Sequence, residues 1–401
     1  MPLLLIYFIL YPFVKFRFLR LIGSAIGHYS SNTELLLAKL STLKDDEFIN
    51  IFYLEHTLCE PTSICNLQLH QMWKRTLLML PLRCFSIVER LDQLIMCFLG
   101  NRAYGLNGDK KYLRARAIGT RDRNGYFKAT PTTLSFTPEE HQRAKEMLGR
   151  VNITLNTPYV CLLVRSSAYN KNHPDWHCPE RNAEISTYMK AAHFLAEKGY
   201  YVFRMGKVVE DNLPISHPRI FDYATSPIRC DFMDVYLTAY CLFFITTGTG
   251  LDGVAEIFRK PILYTNAFVL PLVATWYPHR LFTFKRVMFK DSNTPLTLKE
   301  LVYYFHSHPD YVSRATFSVA DYMEKLKLQF IDNTEDELHD AVEEMEARVT
   351  GAWKEYTEDL LLQEKFWSMF PKDAVYVKPY HGTIDTKLSA RFLSKYQHLL
   401  F

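Results

Sequence analysis

The chain has 401 residues, 48% hydrophobic and 14% aromatic, with 47 Lys and Arg against 43 Asp and Glu. That much apolar material excludes a disordered chain, and a net charge of +4 is too balanced to point to a nucleic-acid partner. The length exceeds what one compact core usually holds, so two domains are expected.

In chain order, "MPLLLIYFILYPFV" (1–14) is apolar and is followed by Lys15, Arg17 and Arg20. It falls short of the roughly 20 residues that cross a bilayer. Its charges follow the apolar run, the reverse of a signal peptide. Two readings stay open: a buried first strand with its lead-in, or contact with a membrane surface through residues 1–20. "FVKFRFLRLI" alternates apolar and basic residues, the period of a half-buried strand. After it come Gly23, Gly27 and His28, with Ser31 or Asn32 placed to cap a helix over "TELLLAKLSTL". "EFINIFYLE" reads as a second strand and "NLQLHQMWKRTLLML" as a helix. Residues 1–30 contain no acid, residues 101–128 hold eight Lys or Arg against two Asp, and residues 335–346 hold seven acids. The first half is therefore the face for an anionic partner. "KATPTTLSFTPEE" reads as a linker that ends in a helix start, with Thr137 as cap, Pro138 at the first position and Glu140 closing a capping box.

From residue 158 the pattern becomes regular. "PYVCLLVRS", "YYVFRMG", "RIFDYA", "CLFFITT" and "PILYTN" read as short apolar strands. "NAEISTYMKAAHFLAEKG", "CDFMDVYLTAY" and "GVAEIFRK" between them read as helices. That alternation implies a parallel, doubly wound sheet with helices on both faces. "TLKELVYYF" adds a helix with Thr297 and Glu300 as capping box. Leu338, Val342, Met345 and Val349 share a face of a later one. The eight cysteines are scattered without a C-x-x-C pair, as in a reduced, cytoplasmic protein.

In a doubly wound sheet, ligands sit outside the carboxyl ends of the strands. The residues there are Arg165, Arg204 with Gly206 and Lys207, Thr225, and the loop from Thr247 through Gly248, Thr249, Gly250 and Asp252 to Gly253. Gly248-x-Gly250-x-x-Gly253 between a strand and a helix has the spacing of a dinucleotide fingerprint, with N–H groups and a helix dipole aimed at an anion. A nicotinamide site also needs an acid at the end of the next strand, and no Asp or Glu occurs between Glu256 and Asp291. A P-loop needs Gly-Lys-Ser/Thr, which is missing. A phosphate cradle late in the domain remains, with Arg165 and Arg204 as a diphosphate clamp. The bland alternative is a tight junction whose glycines serve packing alone. "NKNHPDWHCPERN" (170–182) holds His173, Asp175, His177 and Cys178, but no second ligand cluster accompanies it. It reads as a loop over the active site, with Arg181 and Asn182 opening the next helix, and no metal is expected.

"IGHYSSNTELLLA", the run from "VCLLVRSSAY" to "VFRMGK", "DYATS", "FFITTGTGLDGVAEIF" and the ending "AVEEMEARVTGAWKE…LLLQEKFWSMFP" resemble a little-characterised family of bacterial glycosyltransferases of GT-B type, associated with surface polysaccharide synthesis. The resemblance covers nearly the whole chain. It implies two Rossmann-like domains facing a cleft, a nucleotide-sugar donor and a metal-independent transfer to a glycan or lipid-linked acceptor. The family pattern has an acid just after the strand ending in Arg165, where this chain has Ser166 and Ser167. The expected layout is an acceptor domain over 1–135, a donor domain over 136–330 and C-terminal helices over 331–401 crossing back. His28 is the expected general base, with Glu34 as the alternative. The expected location is cytoplasmic, peripheral to the inner face of the membrane. A nucleotide-sugar epimerase, a nicotinamide oxidoreductase and a non-catalytic membrane-bound protein are the rival readings.

Overall fold

The computed structural model describes residues 2–42, 48–55, 64–81, 84–99, 122, 124–154, 157–168, 179–210, 212–213, 217–268, 273–307, 323–369 and 384–400. His173, Asp175, His177 and Cys178 lie outside the described residues.

Residues Pro2–Leu10, the lead-in to the expected first strand, form a helix, α1. The segment is apolar all round, so no period separates helix from strand, and its four leucines favour helix. β1 (Lys15–Leu21) and β2 (Phe48–Leu54) pair in parallel, and Met79 bridges to Phe52 on the other side of β2. Between β1 and β2, a π-helical turn at His28–Asn32 runs straight into α2 (Thr33–Thr42). α3 (Leu67–Thr76) and α4 (Phe85–Leu99) follow, and Asn66 caps α3 by accepting from the Leu69 N–H. α5 (Pro138–Gly149) starts with the expected capping box of Thr137 and Glu140.

The main sheet has seven strands in the order β11-β8-β7-β6-β3-β4-β5, and every pairing in it is parallel. Its strands are β3 (Tyr159–Leu163), β4 (Tyr201–Arg204), β5 (Ile220–Phe221), β6 (Phe244–Thr246), β7 (Ile262–Ala267), β8 (Arg280–Phe284) and β11 (Lys387–Leu388). β9 (Arg286–Phe289) and β10 (Leu328–Ile331) form a separate antiparallel pair. The crossing helices are α6 (Met189–Glu197), α7 (Asp231–Tyr240) and α8 (Asp252–Ile257). α9 (Leu298–Ser307), α10 (Glu335–Val349), α11 (Thr357–Ser368) and α12 (Ala390–Lys395) complete the chain.

Side chains alternate across β3. Val160 and Leu162 face α6 and the Leu338–Val342–Met345 stripe of α10. Tyr159, Cys161 and Leu163 face α7, α8 and the N-terminal half. One buried cluster runs from Tyr7 through Trp73 and Phe136 to Tyr277, so the N-terminal half and the main sheet share a core. The expected linker is part of it: Leu134 and Phe136 are buried. Arg259, just after α8, grips that segment by donating to the carbonyls of Phe127, Thr130 and Pro131 at 2.9, 3.1 and 3.2 Å.

Candidate functional site

The strand order reverses between β3 and β6, so the crevice outside their carboxyl ends is the switch point of the sheet. There the Arg165 N–H donates to Thr247 Oγ1 at 3.1 Å.

The loop after β6 is organised by its own acid. Gly248 has a φ of 88°, and a Cβ on it would stand 2.7 Å from the Tyr264 hydroxyl, so only glycine fits. Asp252 Oδ1 accepts from Thr246 Oγ1 and Thr249 Oγ1 at 2.8 and 2.9 Å, and its Oδ2 accepts from the Thr249 N–H at 2.9 Å. The Gly248 N–H donates to Thr246 Oγ1 at 3.0 Å. Burial pushes the Asp252 carboxyl up, opposed by the bonds from Thr246 and Thr249.

Beside this loop a cavity of about 250 Å³ runs along one face of β7 under α8. Its lining includes Gly248, Thr249 and Arg181, and the Arg280–Glu256 pair. Tyr264, Phe268 and Trp276 form its aromatic wall, and Gly27 and Ser31 close it from the N-terminal half. Arg280 donates to Glu256 Oε1 at 2.5 Å, and Ser31 Oγ donates to Glu256 Oε2 at 3.0 Å. That pair is buried and mutually neutralised.

Arg181 differs. Its guanidinium stands 5.7 Å from the centre of the Phe268 ring, and its Nε is buried without a hydrogen-bond partner. Among the described residues no carboxylate pairs with it. Its charge reaches Tyr264: burial pushes that hydroxyl up and Arg181 pulls it back. The backbone on its far side is pinned. Lys285 Nζ donates to the Asn182 carbonyl at 2.8 Å while paired with Asp332, and the Ala183 N–H donates to the Arg165 carbonyl at 3.0 Å. A pre-positioned cation and a phenol in an aromatic-walled cavity suit a phosphate joined to a flat or ring-shaped group. The volume accommodates part of a nucleotide-sugar-sized molecule.

No protein-family model matches the chain, and no curated protein does. Several solved structures are similar in part. The dodecameric iron-containing glycosyltransferase TibC from enterotoxigenic Escherichia coli aligns at 12% identity over 85% of this chain and 81% of its own, with a TM-score of 0.43. A glycosyltransferase of family 9 from Veillonella parvula aligns at 11% identity over 78% of this chain and 97% of its own, with a TM-score of 0.38. TibC in complex with ADP-D-beta-D-heptose, described as a heptosyltransferase, aligns at 20% identity over 33% of each chain, with a TM-score of 0.24.

Of the residues singled out from the sequence, Gly248, Thr249, Asp252 and Gly253 line the cavity. The loop departs from the expected cradle in two ways. The N–H groups of Gly248 and Thr249 are taken up inside the loop, and Asp252 is the anchor that takes one of them. Gly250 faces away from the cavity onto Gly27, and Gly253 packs on Ser30 and Ser31. Thr247 is buried beneath, accepting from Arg165, whose own side chain is buried. Arg204 is not brought to the cavity. Its Nη1 donates to both oxygens of Asp222 at 3.0 and 3.1 Å, and both side chains are buried. Gly206, Lys207 and Thr225 lie with it outside the cavity, the last two exposed. Glu34 is buried and paired with Arg259 at 3.0 Å, and it accepts from the Thr133 N–H at 3.2 Å. Burial pushes its carboxyl up, opposed by Arg259. That pairing ties α2 to the linker and to Arg259 just after α8. His28 opens the π-helical turn and is half-buried; it does not line the cavity, though Gly27 before it and Ser31 three residues on do. Arg181, Tyr264, Trp276, Glu256 and Arg280 line the cavity without having been assigned to a site from the sequence. Their one sequence signal is the two-residue spacing of Ile262 and Tyr264, which puts both on one face of β7.

Proposed function

We propose that the protein is a glycosyltransferase of GT-B type that seats part of a nucleotide-sugar donor in the cavity beside the Gly248–Gly253 loop. The observation that carries this reading is Arg181: a positioned guanidinium lining an aromatic-walled cavity, at the carboxyl edge of a doubly wound parallel sheet. In this reading Arg181 and the Tyr264 hydroxyl hold the donor diphosphate, and the aromatic wall packs on the base or sugar. The acceptor hydroxyl attacks the anomeric carbon, and the bond to the diphosphate breaks with its electron pair on the leaving phosphate. Arg181 stabilises that charge, so no metal is required of the mechanism. The proton passes to a base from the N-terminal side. Asp252 and Glu256 are occupied by hydrogen bonds and an ion pair, which leaves His28, flanked by the cavity residues Gly27 and Ser31, as the base. The acceptor is a glycan or lipid-linked glycan approaching from residues 1–135, with the donor held by residues 136–330.

A nicotinamide site is disfavoured by the end of β7. Asn266 and Ala267 stand where a ribose acid belongs, and Asn266 is engaged with Asn333 and Tyr188. The test is a thermal-shift screen of ADP-, UDP-, GDP-, CMP- and dTDP-sugars and NAD. Stabilisation by one sugar nucleotide and not by NAD supports the reading, and stabilisation by NAD alone overturns it.

A further inference from the structure

Lys285 sits between β8 and β9 and is only 4% exposed. A buried ammonium needs partners, and this one has two. Its Nζ donates to the Asn182 carbonyl at 2.8 Å and pairs with Asp332 Oδ1 at 2.7 Å. Lys285, Asn182 and Asp332 all lie outside the cavity lining. Asn182 directly follows Arg181 in the chain, so the ammonium grips the backbone one residue beyond the cavity's guanidinium. The same lysine also acts on what Arg181 rests against. Its N–H donates to the Ala267 carbonyl at 2.8 Å, and Phe268, next in the chain, carries the ring 5.7 Å from the Arg181 guanidinium. One residue thus ties both the backbone that bears the cation and the backbone that bears the ring beside it.

Lys285 is itself held. Asp332 directly follows β10, and Asn333 after it is locked in a buried polar network. Asn333 Oδ1 accepts from the Asn266 N–H at 3.0 Å and from Thr283 Oγ1 at 2.6 Å, and the Asn333 N–H donates to Asn266 Oδ1 at 2.7 Å. The backbone that carries Asp332 is therefore fixed where Lys285 reaches it. Stability alone would be served at least as well by an apolar side chain of similar length in place of a buried ion pair. What an apolar side chain lacks is a donor for the Asn182 carbonyl. Among the described residues no carboxylate pairs with Arg181, so its placement comes from its backbone and the Phe268 ring. We propose that Lys285 is a positioning residue for the donor diphosphate: it sets the place of the Arg181 guanidinium, and Asp332 holds Lys285 in turn. This deepens the donor-site reading and rests on Arg181 being a phosphate ligand.

The probe is inorganic pyrophosphate, the group shared by nucleoside-diphosphate sugars, titrated calorimetrically into the full chain. Wild type is expected to bind it, and Arg181→Ala to bind it about tenfold or more weakly. Lys285→Met is expected to lose about tenfold, the scale on which groups one step behind a ligand act. Lys285→Arg, which keeps a donor for the Asn182 carbonyl, is expected to recover most of that. On an Arg181→Ala background Lys285→Met is expected to change nothing further, a result that general loosening of the fold does not give. A second readout needs no ligand: the Nε–H resonance of Arg181, assigned by its absence from Arg181→Ala in arginine-labelled protein, is expected to move in Lys285→Met and to return in Lys285→Arg. If circular dichroism shows that Lys285→Met does not fold, Asp332→Ala, at a carboxylate 42% exposed, carries the same comparison. A folded Lys285→Met or Asp332→Ala with wild-type affinity, or one whose loss is the same with and without Arg181, overturns the proposal. Failure of the donor reading looks different: pyrophosphate binding is absent from wild type or indifferent to Arg181→Ala, and the proposal then falls with it however the Arg181 resonance moves.

Discussion

Gly27 and Gly250 meet backbone to backbone across the join between the N-terminal half and the main sheet. A Cβ on Gly27 would stand 3.1 Å from Gly250 Cα, and a Cβ on Gly250 would stand 3.2 Å from Gly27 N and 2.8 Å from Ile26 Cγ2. Three residues on, a Cβ on Gly253 would press on Ser30 Oγ and Ser31 Oγ at 2.5 and 2.7 Å. Two of the three glycines that look like a phosphate cradle therefore let two chain segments touch. The third, Gly248, supplies the positive φ of the loop itself.

Alanine at Gly250 or Gly253 should thus lower stability by about 1–3 kcal/mol, because backbone on the far side cannot yield. Gly149→Ala is the control, since a Cβ there meets nothing within 4 Å. Thermal unfolding of the three variants checks this. Unchanged melting of both Gly250→Ala and Gly253→Ala would contradict the packing role.

Arg204→Ala should destabilise the fold, not merely weaken ligand binding. It leaves the buried Asp222 carboxylate without its cation, a loss of about 3–5 kcal/mol in pairs of this kind. The double replacement Arg204→Met with Asp222→Leu should recover much of that loss. Urea unfolding decides: a folded, fully stable Arg204→Ala would return Arg204 to the list of ligand-binding residues.

The C-terminal helices are closed by a carboxylate that gives a pH signature. Glu337 caps α10 with Thr334 and accepts from Lys395 Nζ at 2.8 Å and from the Tyr396 hydroxyl. Burial alone would push its carboxyl up, but Lys395, Tyr396 and the Thr334 N–H outweigh it and hold it below the usual range. A depressed native value means that this contribution is present above the ordinary glutamate value and is lost as pH falls through the depressed one. Glu337→Gln should melt below wild type at neutral pH, and the gap should close as the pH is lowered into that range. A gap that stays constant with pH would contradict the ionic role.

His28 and Glu34 should separate in kind. His28→Ala should retain fold and donor affinity while turnover falls about 10²–10⁴-fold. Glu34→Ala should lower stability through the loss of the Arg259 pair, with its activity defect tracking unfolding. The reverse outcome, a folded Glu34 variant dead in turnover and an active His28 variant, would move the base to Glu34.

The main sheet was legible because each of its strands is a short apolar run bounded by turn residues, and β3, β4, β6 and β7 fall where the pattern places them. Capping boxes at Thr137 and Thr297 are realised as read, because cap and partner are three residues apart and need no tertiary information. α1 escaped because an all-apolar segment has no period. The pairing of Arg204 was illegible for a related reason: the end of a strand fixes where its backbone points, while Asp222, eighteen residues on, decides where its guanidinium goes. The cavity was illegible because Arg181, Tyr264, Trp276 and Arg280 meet only through sheet order and the fold of the 273–280 segment over β7.

The most direct test of the account is calorimetric titration of wild type, Arg181→Ala and Lys207→Ala with the sugar nucleotide found in the screen. Arg181→Ala should stay folded and lose about 1.5–3 kcal/mol of binding free energy, the worth of a charge-assisted phosphate contact, while Lys207→Ala binds as wild type does. Donor binding undiminished in a folded Arg181→Ala would contradict the assignment of this cavity as the donor site.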